Sequence, residues 1–396
     1  MKTTQKLRNL LLGASAAAMV IAAVPALGID ASAEMVYKTS DRTVAAGSGI
    51  KINKTNFPDS SFMKFVKKKA DSNNDGSLSK QEISKTKKLS CSFKGIKNLK
   101  GIEYFTSLNT LDCSFNGLTS LDLSKNTALK KLDCNNCASL SRLNVSKNSS
   151  LTELDCYSCK LKSLDVSKNK ALTHLDCGFN KLTSLDVSKN TALTYLGCNT
   201  ENLKSLDISK NKALKDLDCG NNKLTKLDVS KNPALKSLSF GVNKLKKIDV
   251  SKNTALESAF ISSNPLASID LSKNPKVTLF DCSETDIKSL DLSKQKKMTD
   301  LTCKNCKKLE SITTYAKQIN FTGSEKLQTI DFKTTEKIGL VFDNYSDDYN
   351  PIDGCKSLKK IILNKDTGSK NYDANVKSLN KWLKDAKLKD VEIVKG

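Results

Sequence analysis

The hydrophobic positions of this chain recur at a fixed step. Leu182-Thr-Ser-Leu-Asp-Val-Ser-Lys-Asn190, Leu203-Lys-Ser-Leu-Asp-Ile-Ser-Lys-Asn211 and Leu224-Thr-Lys-Leu-Asp-Val-Ser-Lys-Asn232 follow one another at intervals of 21 residues. Between them lies a related half, Leu172-Thr-His-Leu-Asp-Cys177 and Leu214-Lys-Asp-Leu-Asp-Cys219. One unit therefore reads L-x-x-L-D-C-x-x-N-x-L-x-x-L-D-V-S-K-N-x-x. In an extended segment alternate side chains share a face, so Leu175 and Cys177 point inward while Asp176 points out. Half a unit is too short to close a coil and bury that face. A 21-residue unit makes one coil with a short strand on each side. Coils stacked at about 4.8 Å give parallel, in-register strands, about ten coils and a rod on the order of 45 Å. The predicted class is a mostly β repeat solenoid.

The repeats span residues 89–310, and the flanks break the pattern. Residues 50–88 read as a helix–loop–helix cap. Residues 311–396 read as degenerate repeats, with Ile319-Asn-Phe321 and Ile330-Asp-Phe332 as worn strands, followed by a short amphipathic helix around Trp382. A solenoid needs its apolar ends covered, so an α/β C-terminal cap is expected beside the helical N-terminal one. Residues 1–33 have the form of a secretory signal: Lys2, Lys6 and Arg8, an apolar run from Leu10 to Leu27, then Ala31-Ser32-Ala33. Residues 34–49 read as a linker. No other stretch is long and apolar enough to span a membrane, so no transmembrane anchor is expected. The expected location is extracellular or loosely wall-associated.

The nested 10/11-residue pattern resembles the bacterial leucine-rich-repeat family, with an architecture related to internalin-like surface proteins. That resemblance implies extracellular binding or adhesion to a protein or glycan ligand, without naming it. The column Asn126, Asn148, Asn169, Asn190, Asn211, Asn232, Asn253 and Asn274 belongs to the fold, because stacked amides can satisfy the backbone of adjacent turns.

Charge adds a second theme. The chain carries 65 Lys+Arg against 42 Asp+Glu, and without residues 1–33 the balance is 62 against 41, or +21. Only Arg8, Arg42 and Arg142 are arginines. Nucleic-acid readers rely on Arg for bidentate contacts, so no nucleic-acid partner is expected. A diffuse lysine field suits solubility, or attraction to anionic cell-wall polymers.

Two motifs suggest metal. Asp71-Ser-Asn73-Asn-Asp75-Gly76-Ser77-Leu78-Ser79-Lys-Gln-Glu82 fits a twelve-residue EF-hand loop. Side-chain oxygens of Asp71, Asn73, Asp75, Ser79 and Glu82, with the Ser77 carbonyl, are the expected ligands of one calcium ion. The alternative is an Asx-rich turn joining two helices. Cys134-x2-Cys137 and Cys156-x2-Cys159 mimic a zinc ribbon. Register explains them without zinc. The first Cys of each pair shares the inward column of Cys113, Cys177, Cys198 and Cys219. The second shares the column of Asn116, Asn180 and Asn222, where the family resemblance makes Cys a stand-in for Asn.

No enzyme is expected. His174 is the only histidine, and Asp and Ser recur once per coil as a lattice does. The second-half surface is monotonous, Ser184-Leu-Asp186 and Ser205-Leu-Asp207. The first-half surface varies. Phe115, Tyr157, His174, Phe179, Tyr195 and Phe260 there make the candidate binding face, since exposed aromatics beside varied polar groups suit recognition.

Overall fold

The computed structural model describes residues 49–340, 350–364 and 368–396. The proposed leader, and all of the linker but Gly49, lie outside these residues. The N-terminal cap comprises β1 (Ile50–Lys51), α1 (Ser60–Lys69), β2 (Ser77–Leu78) and α2 (Lys80–Lys85), with β1 and β2 paired antiparallel. Asp59 caps α1, its Oδ1 accepting from the Ser61 and Phe62 amides at 3.0 and 2.9 Å. Its Oδ2 accepts from the Lys97 and Asn98 amides at 2.7 and 3.2 Å, so one carboxylate ties the cap to the first coil. Phe57, Phe62, Val66 and Leu78 bury the apolar side of the cap completely. Gly101, at φ +105°, lies where a Cβ would collide with the Phe57 ring, so this seam requires glycine.

Three-residue strands then recur: β3 (Lys88–Ser90), β4 (Thr110–Asp112), β5 (Lys131–Asp133), β6 (Glu153–Asp155), β7 (His174–Asp176), β8 (Tyr195–Gly197), β9 (Asp216–Asp218), β10 (Ser237–Ser239), β11 (Ser258–Phe260) and β12 (Leu279–Asp281). With β14 (Asp300–Thr302), β16 (Gln318–Asn320) and β18 (Gly339–Leu340) they form one 13-stranded sheet, parallel throughout. Leu154, Leu175, Leu196 and Leu217 pair in direct register. The central residue of every strand from β3 to β12 is buried, as the L-x-x-L-D-C spacing predicts.

The second half of the coil differs from its expectation. From Leu121 to Leu271 it runs as extended chain and turn, without a ladder. A second sheet begins only at β13 (Ser289–Asp291) and continues through β15 (Ser311–Thr314), β17 (Thr329–Phe332), β19 (Lys360–Leu363) and β20 (Glu392–Lys395). Composition accounts for the change. β13 keeps the Ser-Leu-Asp segment of the earlier coils, but its partner β15 and the strands beyond it, β17 and β19, carry the β-branched and aromatic residues Ile312, Thr313, Ile330, Phe332, Ile361 and Ile362. The expected C-terminal helix is α3 (Ser369–Asp385), which buries Leu379, Trp382 and Leu383. Among the described residues no helix is long and apolar enough to cross a membrane.

Candidate functional site

Two amide ladders hold the coils in register. In the first, the Asn190 Nδ2 donates to the carbonyls of Val166 and Asn169 at 3.0 and 2.9 Å, and the pattern repeats from Asn126 to Asn274. Gln295 takes over in the next coil. The amide oxygens of all nine residues are buried without a donor, a deficit repeated coil by coil. In the second ladder, Asn180 donates to the Cys156 carbonyl at 2.9 Å and accepts from the Leu161 amide at 2.9 Å. Asn222, Asn243 and Asn264 do the same for their preceding coils.

The cysteines fall into place on these ladders. All 13 are buried and free. Cys137 donates its thiol to the Cys113 carbonyl at 3.4 Å and Cys159 to the Cys134 carbonyl at 3.3 Å, the bonds an Asn makes at that position. Cys306 and Cys355 bond likewise to Cys282 and Phe321. Burial pushes the Cys177 and Cys198 thiols well above their ordinary value, which suits packing residues rather than nucleophiles.

Glu201 is the one acid at this ladder position among the described residues, and sequence reading passed over it. Its carboxylate, 6% exposed, accepts from the amides of Asn180 and Leu182. Burial raises its pKa from 4.5 to about 7, although those two amides pull it down.

The turn after each strand of the 13-stranded sheet from β3 to β16 carries a second unforeseen feature. Phe93, Phe115, Asn136, Ser158, Phe179, Thr200, Asn221, Val242, Ser263, Glu284 and Asn305 all have φ between +49° and +58°, and Gly323 and Gly354 continue the row. Residue types gave little warning, because only Asn136, Asn221, Asn305 and the last two are of the types that favour this conformation. The Asp at the end of the strand closes this turn. Asp112, Asp133, Asp155 and Asp176 each accept, at 3.0–3.3 Å, from the amide two residues on.

The candidate binding-face residues fall into separate places along the sheet. Phe115 stacks on Phe93, centroids 4.2 Å apart, and Phe93 is the aromatic that sequence reading missed. Its 22-residue spacing from Phe115 was the available signal. Tyr157 and Phe179 meet at 5.0 Å, and His174 stacks on Tyr195 at 4.3 Å. Phe260 stands on β11, four strands from β7.

The Asp71–Glu82 loop closes on itself. Asp71 accepts from the Asp75 and Gly76 amides at 3.2 and 3.1 Å, and Asp75 from the Ser77 amide at 2.8 Å. Asn73 Nδ2 donates to Asp75 at 2.8 Å. Glu82 faces Ser72 and Ser79, accepting from both amides and both hydroxyls at 2.7–2.9 Å. Burial pushes the Glu82 carboxyl up, but the Ser79 and Ser72 donors outweigh it and hold the pKa at about 2. Among the described residues no three His, Cys, Asp or Glu side chains stand together as a metal site. The all-oxygen donor set of the loop nevertheless has the chemistry a hard cation prefers.

Neither a family model nor a curated protein sequence matches the chain. Solved structures do. The functional domain of InlJ from Listeria monocytogenes, described as including a cysteine ladder, aligns with a TM-score of 0.63 and 33% identity over 81% of this chain and 68% of that one. InlF, an internalin from the same organism, aligns with a TM-score of 0.58 and 17% identity over 80% of this chain and 98% of its own. Internalin C2, also from Listeria monocytogenes, gives 0.52 and 19% over 56% and 100%. The last two show the fold alone. With one third of its residues shared across two thirds of the InlJ domain, the chain belongs to the internalin-like leucine-rich-repeat family.

Proposed function

We propose that the protein is a secreted, non-enzymatic binding scaffold that engages a protein or glycan partner through the outer face of its 13-stranded sheet. The observation that carries this reading is the contrast between the two sides of the coil. The Ser-Lys-Asn side repeats almost unchanged, while the sheet face varies from coil to coil and carries aromatic pairs. In the same reading the Asp71–Glu82 loop holds one structural calcium ion through Asp71, Asn73, Asp75, Ser77, Ser79 and Glu82, which would stiffen the N-terminal cap.

The test is a pull-down from cell-wall material, glycans and surface proteins, using residues 34–396 and the variant Phe179→Ala/Tyr195→Ala. Capture that the variant loses supports the sheet face. Capture that both proteins share refutes it. A second reading, retention on anionic wall polymers, is favoured by an exposed lysine in each coil, Lys125, Lys147, Lys168, Lys189, Lys210, Lys231, Lys252, Lys273 and Lys294. Retention of that kind is lost in a high-salt wash, which leaves apolar contacts in place.

A further inference from the structure

We infer that the partner seated on the N-terminal half of the sheet face is a basic polypeptide segment, with lysine or arginine side chains interleaved with apolar ones. This rests on the scaffold reading above and specifies its ligand. The first argument is strain. The turn after each strand of the 13-stranded sheet from β3 to β16 requires positive φ, which Gly and Asn adopt most cheaply. Gly323, Gly354, Asn136, Asn221 and Asn305 fill it that way. Phe93, Phe115, Phe179 and Val242 occupy the same position while 68, 43, 40 and 49% exposed. Each of these residues incurs backbone strain and leaves apolar surface in water; the Phe93–Phe115 and Tyr157–Phe179 contacts cover part of that surface, and the rest stays open. A partner that covers the rings buries that remainder.

The second argument is charge. Across the outward strand positions of β3–β12, β14 and β16, two lysines face nine carboxylates, a net of −7 on a chain of +23. One of those lysines, Lys131, is paired with Glu153 at 2.6 Å. Asp112, Asp133 and Asp155, each half-buried, stand side by side in direct register, in the coils that carry Phe115, Tyr157 and Phe179; Asp176 continues the row but, against its outward expectation, is only 4% exposed. Their turn-closing bond does not need the charge, because Asn320 makes it to the Thr322 amide at 3.1 Å. A row of like charges about 4.8 Å apart is self-repulsive. Cations laid along the row relieve that repulsion, and cations over the adjacent ring faces gain a further attraction. Apolar residues between them cover the ring edges. A partner with those two features therefore matches the strip in both respects.

The experiment uses residues 34–396 and a fluorescent peptide of alternating Lys and Leu, with a Glu–Leu peptide as control, read by anisotropy at about 0.15 M salt. The Lys–Leu peptide is expected to bind and the Glu–Leu peptide to bind at least tenfold more weakly, against the sign of the protein's overall charge. Two variants locate the site. Asp112→Asn/Asp133→Asn/Asp155→Asn/Asp176→Asn keeps the turn acceptors and removes the charge. Phe115→Asn/Phe179→Asn puts a residue suited to the turn in place of the rings. Both are expected to lose at least tenfold in affinity, while the second melts no lower than the native protein. A purely structural role for the rings would not produce that combination. No binding, preference for the Glu–Leu peptide, or unchanged affinity in both variants overturns the inference. So does self-association that the Asp→Asn variant abolishes, because the occupant would then be a second copy. If the face variant in the pull-down loses its capture while the Lys–Leu peptide does not bind, the scaffold reading stands and only the ligand assignment fails.

Discussion

Glu201 occupies a position where Asn180, Asn222, Asn243 and Asn264 supply both a donor and an acceptor to the preceding coil. An ionised carboxylate supplies acceptors only. Its carboxyl is raised from 4.5 to about 7, so between these values the folded protein binds more protons than the unfolded chain. Whatever stability it contributes is fully present below about pH 4.5 and is lost as pH rises through about 7. Glu201→Asn should therefore raise unfolding free energy by about 2 kcal/mol at alkaline pH, with the advantage shrinking toward acid. Urea melts across the pH range measure the difference, and a constant gap would remove the titration account. Cys177 gives the opposite prediction. It fills a column that also holds Phe240 and Ile261, so Cys177→Val should cost less than about 1.5 kcal/mol, and reductant should leave the melting temperature unchanged. The roles of the cysteines were legible in the sequence, because register alone separates an inward column from an amide column. The strained turn was not legible, because Phe, Ser, Thr, Val and Glu all occupy it. Glu201 was hidden for a related reason, since a single acid in an amide column reads as surface until its burial is seen.

At the scale of elements, the alternation in Leu-Asp-Cys specified the first sheet strand by strand. The same alternation in Leu-Asp-Val gave no ladder between Leu121 and Leu271, and the turn that follows is not the reason. β13 has the same Ser-Leu-Asp segment and the same turn bond, Gln295 N–H to Leu292 O at 3.1 Å, and pairs because the neighbouring β15 supplies an extended, β-branched partner. Alternation states which face is buried; a ladder also needs chain that stays extended long enough to pair. The N-terminal cap shows a comparable limit. Its loop reads in the sequence as six oxygen ligands spaced over twelve residues, whereas in the structure Glu82 closes a capping box with Ser79 and accepts from Ser72 as well. The carboxyl is held at about 2, below its ordinary 4.5, so its contribution is present above about pH 4.5 and lost as pH falls through about 2. To ligate calcium, Glu82 would have to exchange the Ser72 and Ser79 donors that hold both its oxygens for the ion. Calorimetry with calcium at millimolar concentration should show one weak site in the native protein and none in Glu82→Ala. No heat with the native protein would leave the loop as an Asx turn.

The whole molecule behaves as a stack in which each coil contacts only its neighbours, so stability is close to a sum over coils and interfaces. Removing residues 193–213 takes out one full 21-residue unit and joins Ala192 to Leu214, restoring the L-x-x-L-D-C sequence. β7 then meets β9, and Leu175 lies against Leu217 as it lay against Leu196. The Leu182 amide, which Glu201 accepts in the native chain, finds the Asn222 amide oxygen that serves Leu203. The shortened protein should fold cooperatively, with a urea m-value lower by roughly one sixteenth in proportion to the surface lost. Its stability at alkaline pH should fall by less than a coil's share, because the deletion also removes Glu201. Removing residues 203–213 instead takes out only an 11-residue half, so one first-half segment would run straight into the next with no chain to close the coil. That protein should lose its cooperative melt or fail to remain soluble. Circular dichroism and urea titration of the two deletions decide the matter: equal tolerance of both would mean that the 21-residue coil is not the unit that folds.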